Sequence, residues 1–199
     1  MKTLDLNEKS IKKTALAAAE FISKGKVVVI PTDTVYGISA LATDKKAVGK
    51  VYALKRRSQD KPFLVLVKSF CMLRRVCFLN KRQYDFIKNN SSSQKPLTVI
   101  LKIKDERLKF LVSKSDKLAV RIPVENKFLK KLISAVGDPI ISTSLNISNQ
   151  PIVDDLENLE KVFGKNKIDL VVRVSKMKKK KPSKIADISD INEIKIIRD

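Results

Sequence analysis

Apolar residues recur at helical spacing from Ile11 through Ala15, Ala18 and Ile22, and Gly25 closes the run. This predicts a helix over residues 8–25, with Asn7 or Ser10 as its N-cap. A second stripe, Ala47, Val48, Val51, Tyr52 and Leu54, begins behind the capping residue Asp44 and runs into the basic cluster Lys55, Arg56 and Arg57. Phe128, Leu129, Leu132, Ile133 and Val136 predict another helix that stops at Gly137, and Asp154 to Phe163 one that stops at Gly164. Two more helical stretches are expected around Phe70 to Leu79 and Lys81 to Lys88, followed by a polar loop from Asn89 to Lys95.

Between the helices lie short apolar runs rich in β-branched residues: Val27 to Ile30, Phe63 to Val67, Leu97 to Ile103, Leu118 to Ile122, Pro139 to Ile141 and Ile168 to Val174. Two further runs, Ile185 to Ile188 and Glu193 to Ile197, close the chain. All of these runs predict strands, and the shortness and continuity of Val27 to Ile30 and Phe63 to Val67 predict burial on both faces for those two. Strands interleaved with helices imply a layered α/β sheet. Several strands succeed one another directly, so the sheet is expected to be mixed rather than parallel. The chain of 199 residues shows no repeat and no linker, which fits a single domain over residues 1–199.

Two hydroxyl-rich stretches directly follow buried strands, Pro31-Thr32-Asp33-Thr34-Val35-Tyr36-Gly37 and Ser142-Thr143-Ser144-Leu145-Asn146-Ile147-Ser148. Both read as loops at strand ends, where open α/β sheets bind ligands. Local turn chemistry, with hydroxyls bonding their own backbone, accounts for them equally well.

Composition narrows the chemistry. The chain contains no histidine, which excludes Ser/His/Asp and Cys/His catalysis and every zinc site built on imidazole. Its two cysteines, Cys71 and Cys77, are not a C-x-x-C pair and are too few for a disulfide framework, so they read as reduced structural thiols. No apolar run approaches the roughly 20 residues that span a bilayer, and the start carries Asp5 and Glu8 without an apolar secretory core. A cytoplasmic protein with no membrane partner is expected.

Lysine and arginine number 42 against 21 acidic residues, a net charge of +21, which predicts attraction to nucleic acid or to nucleotide phosphates, or simply reflects a lysine-rich source. Only five glycines are present, none in a G-x-G-x-x-G or P-loop pattern, so phosphate binding would fall to side chains. Lys55, Arg57 and Lys61 supply a point charge, a planar fork and a second ammonium. A solvated basic helix end explains the same residues. Arg121 interrupts an apolar strand and needs an anionic or acceptor partner if it faces inward, or an edge position if it does not. The run from Lys176 to Lys181 is either a nucleic-acid patch or a solvated loop.

Taken in order, these stretches resemble the YrdC/TsaC family of threonylcarbamoyl-AMP synthases in its short single-domain form. The resemblance rests on Val29-Ile30-Pro31-Thr32-Asp33-Thr34-Val35-Tyr36-Gly37, Ala53-Leu54-Lys55-Arg56-Arg57 through Lys61-Pro62, Pro96-Leu97-Thr98, Ala119-Val120-Arg121-Ile122-Pro123, Ser142 to Ser148, Pro182-Ser183-Lys184-Ile185-Ala186-Asp187 and Ile197-Arg198. It implies an open, twisted mixed sheet flanked by helices, with a basic central cleft. The implied reaction condenses L-threonine, bicarbonate or CO2 and ATP to threonylcarbamoyl-AMP and pyrophosphate, for the threonylcarbamoyl-adenosine of tRNA. Mg²⁺ would enter with ATP rather than on a protein metal site. A downstream threonylcarbamoyl transferase complex and tRNA or double-stranded RNA are the implied macromolecular partners.

By motif, Lys55, Arg57, Ser144 and Asn146 would be catalytic and bind ATP together with Arg121, Ser142, Ser183 and Arg198. Thr32, Thr34, Tyr36, Lys61 and Thr98 would bind threonine. Three departures stand out: Leu66 where many members have histidine, Ser93-Gln94-Lys95 where many read Trp-Pro-Gly, and Lys184 where many have threonine. A non-catalytic module that binds double-stranded RNA or tRNA is the alternative that the charge permits.

Overall fold

The run after Gly25 forms β2 (Val28–Pro31), every residue of which is buried, as a strand covered on both faces requires. It lies inside a ten-stranded sheet in this computed structural model, which describes residues 1–92, 94–112, 115–177 and 182–199. Along the chain the strands are β1 (Lys2–Asp5), β2, β3 (Tyr36–Leu41), β4 (Leu64–Leu66), β5 (Leu97–Lys102), β6 (Lys117–Arg121), β7 (Ile140–Ser144), β8 (Leu170–Arg173), β9 (Lys184–Asp187) and β10 (Lys195–Arg198). Their spatial order is β1-β8-β2-β3-β7-β4-β6-β5-β9-β10. Pairs β1–β8, β2–β8, β4–β6 and β5–β9 run parallel and the others antiparallel, so the sheet is mixed as expected.

The helices are α1 (Ile11–Ser23), α2 (Lys45–Lys55), α3 (Phe70–Val76), α4 (Lys81–Asn90), α5 (Lys127–Val136) and α6 (Leu159–Phe163). Asp44 caps α2 by accepting from the Lys46 and Ala47 amides. Gly137 ends α5 in the left-handed region at φ 83°, which glycine adopts without a Cβ penalty. The apolar faces of α1 and α5 supply Ala15, Ala18, Ile22, Leu129, Leu132 and Ile133 to the core. α1 and α5 also pack against each other.

Three expectations change. Tyr36 and Gly37 are not in a loop but open β3, which turns back on β2 through residues 32–35 and pairs antiparallel with it. Ser142, Thr143 and Ser144 likewise belong to β7. Hydroxyl-rich sequence reads as loop, yet here the hydroxyls stand on two paired strands, with Gly37 opposite Ser144 and Ser39 opposite Ser142. The helix expected over Asp154 to Phe163 is a 3₁₀ turn at Leu156–Asn158 followed by the short α6. β1 and a 3₁₀ turn at Glu106–Leu111 lacked any apolar periodicity strong enough to announce them. Of the lysine run, residues 178–181 lie outside the described residues, as does Ser93 of the polar loop.

Candidate active site

The middle of the sheet brings the two hydroxyl-rich stretches together. β3 and β7 are neighbours, and Gly37 lets their side chains meet. A Cβ on Gly37 would stand 2.5 Å from Ser142 Oγ and 3.0 Å from Thr32 Cγ2, so glycine is required by close approach rather than by a left-handed backbone. In the turn before β3, the Thr32 hydroxyl donates to the Val35 carbonyl at 2.6 Å and accepts from the Thr34 amide at 3.2 Å. Tyr36 Oη accepts from the Val174 amide at 3.0 Å, which fixes its ring between β3 and the end of β8.

Opening beside these strands is a cavity of about 360 Å³. Thr32, Thr34, Tyr36, Arg57, Thr98, Arg121, Ser142, Ser144, Ser183 and Arg198 all line it, although they come from seven separate stretches of sequence. A second chamber of about 280 Å³ is lined by Lys55, Arg57, Lys61, Ser144 and Asn146. Arg57 and Ser144 therefore form the wall shared by both chambers. Lys61 does not line the larger chamber where threonine contacts were expected. It is exposed and its carbonyl accepts from Arg57 Nε at 2.9 Å, because the bend from 58 to 62 turns its side chain toward the smaller chamber.

Lys55 is not a solvated helix end. It is 1% exposed, and its ammonium donates to the Ser144 carbonyl at 2.6 Å, the Asn146 carbonyl at 2.7 Å and Asn146 Oδ1 at 2.9 Å. Ser144 Oγ also donates to Asn146 Oδ1, at 2.6 Å, and Asn146 Nδ2 donates to the Gln150 carbonyl. With three protons and three protein acceptors, Lys55 acts on the site through Ser144 and Asn146. Expected by motif on the ATP phosphates, Lys55 here lines the smaller chamber and also serves as a strut that shapes the S-x-N segment. Burial is the larger cause, and Arg57 the smaller, that pulls the Lys55 ammonium down to about 8. Arg57 itself stacks over Phe63, 5.4 Å from the ring centroid, and burial lowers its pKa while Tyr52 opposes the shift.

Arg121 faces inward. Its Nε donates to Thr98 Oγ1 at 3.1 Å and its Nη2 to Ser183 Oγ at 2.6 Å, and the residue is 7% exposed. Arg198 reaches the same serine, donating to the Ser183 carbonyl at 2.7 and 2.9 Å and to Oγ at 3.2 Å. Because Ser183 Oγ accepts from two guanidiniums, its own proton is directed to Thr98 Oγ1, 2.9 Å away. Thr98 then accepts twice, which leaves its hydroxyl proton to donate to a ligand. Burial drives Arg121 down to about 10, opposed by Asp33 and reinforced by Arg198, and it stays charged near neutrality. Among the described residues no carboxylate forms an ion pair with Arg121, so this corner of the cleft is built for an anion.

The cleft wall also contains residues the sequence did not single out: Phe63, Leu129 and Ile152, joined by Leu66. Apolar side chains carry no motif, and only the 41% exposure of Ile152, visible once folded, marks it as a rim. Among the described residues no group of histidine, cysteine, aspartate and glutamate could hold a metal ion. Asp33 is the carboxylate of the cleft, and it stands with the Thr32 and Thr34 hydroxyls as hard oxygen donors. This donor set fits an ion brought in by a triphosphate rather than a resident metal.

The fold is that of Escherichia coli YciO, whose crystal structure superimposes with a TM-score of 0.81 at 24% identity over 100% of this chain and 93% of that one. The chain belongs to the Sua5/YciO/YrdC family, whose sequence model, described as telomere recombination, matches residues 20–199. A putative threonylcarbamoyl-AMP synthase of Methanocaldococcus jannaschii is 36% identical over 178 residues, 89% of this chain and 82% of that protein. The threonylcarbamoyl-AMP synthase of Pyrococcus abyssi is 32% identical over 149 residues, 74% of this chain and 43% of its own length. The crystal structure of P. abyssi Sua5 complexed with L-threonine superimposes with a TM-score of 0.81 at 26% identity, over 95% of this chain and 54% of that one. No helix among the described residues is long and apolar enough to cross a membrane.

Proposed function

We propose that this protein is an L-threonylcarbamoyladenylate synthase, condensing L-threonine, bicarbonate or CO2 and ATP to threonylcarbamoyl-AMP and pyrophosphate. The observation that carries this reading is the wall of Arg57 and Ser144 between a cationic chamber and a larger hydroxyl-lined one. Such a wall suits a reaction that joins a triphosphate on one side to an amino acid derivative on the other. The named synthases among the relatives, and threonine in one of the solved structures, support the same assignment.

In this scheme the threonine amine adds to CO2, or displaces water from bicarbonate, to give a carbamate. One carbamate oxygen then attacks the α-phosphorus of ATP as the bond to the β-phosphate oxygen breaks, and pyrophosphate leaves with its charge. No histidine base is needed once the carbamate is an anion. The barrier falls through positioning and charge neutralisation. Arg57 neutralises charge on the phosphates, while Ser144 and Asn146, held by Lys55, orient the α-phosphate. Arg121 and Ser183, expected by motif on ATP, are assigned here instead to the amino acid side, where Arg121 with Thr98 and Ser183 fixed around it anchors a carboxylate, and Thr32, Thr34 and Tyr36 shape the amino acid pocket. Leu66 gives that pocket an apolar floor. Mg²⁺ carried by ATP would supply further neutralisation of the leaving group, with Asp33 a carboxylate in the lining of the larger chamber.

The product is a mixed anhydride, so a threonylcarbamoyl transferase acting on tRNA adenosine is the consumer this chemistry calls for. A cytoplasmic setting fits the two free thiols. The test is pyrophosphate release from purified protein with threonine and bicarbonate omitted in turn. Release that needs both, and persists in moderate salt, supports the synthase. Release indifferent to threonine, or none beside RNA binding that fades steeply with salt, overturns it in favour of a binding module.

A further inference from the structure

A cavity of about 460 Å³ adjoins the smaller chamber and has no place in the reaction above. Its apolar lining includes Leu54, Ile147 and Phe163, and Lys50, Arg56 and Lys167 stand among the same lining residues. The carboxylate in that lining, Asp169, is already engaged, accepting from the Val27 amide at 2.9 Å and facing Lys26 at 3.5 Å. Lys50 spends one proton on the Gly25 carbonyl at 3.0 Å and keeps two. The cavity therefore has a cationic excess beside an apolar surface.

Backbone conformation points to the same place. Among the described residues, those with a positive φ that are not glycine are Arg56 (48°), Asn149 (67°) and Asn166 (58°). Arg56 lines both this cavity and the smaller chamber, Asn166 lines the cavity, and Asn149 lines the chamber. Arg56 occupies the left-handed C-cap of α2, its amide bonded to the Ala53 carbonyl at 3.1 Å. Glycine is the favoured residue at such a cap, and a side chain with a Cβ costs about 1 kcal/mol there. The fold alone does not ask for arginine at this position. Strained residues that hold a charged group at a cavity mouth are a recurrent mark of ligand sites.

We infer that this cavity is a second binding site, for a nucleoside phosphate. The base rests on Leu54, Ile147 and Phe163, and the phosphate is held among Lys50, Arg56 and Lys167. The volume suits a mononucleotide, since ligand pockets run from about 300 to 1,000 Å³. Phosphate recognition by a planar guanidinium with two ammonium groups is the arrangement charge-assisted hydrogen bonds favour. The same chemistry is offered by a free nucleotide and by an unstacked nucleotide at the end of an RNA strand.

The test is calorimetric titration of AMP, and separately of a 5′-phosphorylated single-stranded oligoadenylate, into the whole protein. One AMP-binding event should weaken about tenfold or more in the double variant Lys50→Gln, Lys167→Glu, and should survive in Arg57→Met, whose lesion is in the wall assigned to the ATP phosphates and not in this cavity. Arg56→Gly should weaken the same event without lowering the melting temperature, because glycine suits the left-handed cap; this separates lost recognition from lost folding. Displacement of that AMP by the oligonucleotide assigns the site to RNA ends, and failure to displace it assigns it to the free nucleotide. AMP binding that is unchanged in both the double variant and Arg56→Gly overturns the inference, whatever becomes of synthase activity.

Discussion

Lys55 Nζ lies 2.6 Å from the carbonyl oxygen of Ser144, a residue 89 positions away, and so fastens the end of α2 to the end of β7. The Ser148 amide returns the contact by donating to the Lys55 carbonyl at 2.9 Å. Replacing the ammonium with a thioether of similar length leaves the Asn146 carbonyl without a donor, and leaves the Ser144 carbonyl with only the Asn146 amide and Asn146 Oδ1 with only the Ser144 hydroxyl. Lys55→Met should therefore lower pyrophosphate release by roughly two orders of magnitude, through disordering of Ser144 and Asn146. It should also lower stability by about 1–3 kcal/mol for the orphaned Asn146 carbonyl. Steady-state rates and a denaturant melt check both, and a wild-type rate in the variant would remove the strut from the mechanism.

The same lysine sets a pH dependence. Its folded-state value of about 8 lies below the ordinary 10.5, so between those values the unfolded chain holds more protons and this group's contribution to stability rises with pH. Activity runs the other way. Above about 8 the neutral amine has two protons for three acceptors, and the rate should fall about tenfold for each further pH unit. A rate profile should show this limb while the melting temperature shows no parallel loss from Lys55. The limb should be missing from the residual activity of Lys55→Met.

Gly37 admits no side chain while Ser142 keeps its hydroxyl. Gly37→Ala should cost about 1–3 kcal/mol by forcing β3 away from β7, and should depress activity by displacing the shared wall. Adding Ser142→Ala removes the atom that the new methyl meets at 2.5 Å, so the double variant should recover part of the melting temperature. A thermal melt of the two single variants and the double one shows whether the pair is coupled; strict additivity would contradict the close approach.

Arg121→Lys keeps the charge and loses the fork. One ammonium cannot serve Thr98 Oγ1 and Ser183 Oγ as two guanidinium nitrogens do, so the proton order that frees the Thr98 hydroxyl collapses. The KM for threonine should rise by roughly tenfold or more, and that for ATP much less. Equal changes in both constants would move Arg121 from the amino acid side of the cleft to the nucleotide side.

The sequence by itself determined the core helices, most of the strands and the mixed α/β class, because burial on one helix face or on both faces of a strand imposes a period that composition cannot hide. α2 shows this: its stripe ends at Lys55, and Asp44 caps it as read. Motifs in a fixed order also named hydroxyls and cations that the fold gathers around the two chambers. Tertiary structure alone decided what each does. Lys55 and Arg57 are two residues apart on paper, yet one is spent inside the protein and the other stands in the wall between two chambers. Tyr36 and Ser142 read as loop, because hydroxyls and glycine carry turn chemistry locally, and only the pairing of β3 with β2 and with β7 makes them strand. Arg121 balanced between an exposed edge and an inward site until β5 and β9 placed Thr98 and Ser183 around it. Periodicity reports how a segment meets the average interior, whereas the partner of a single buried charge is fixed only when distant segments close around it.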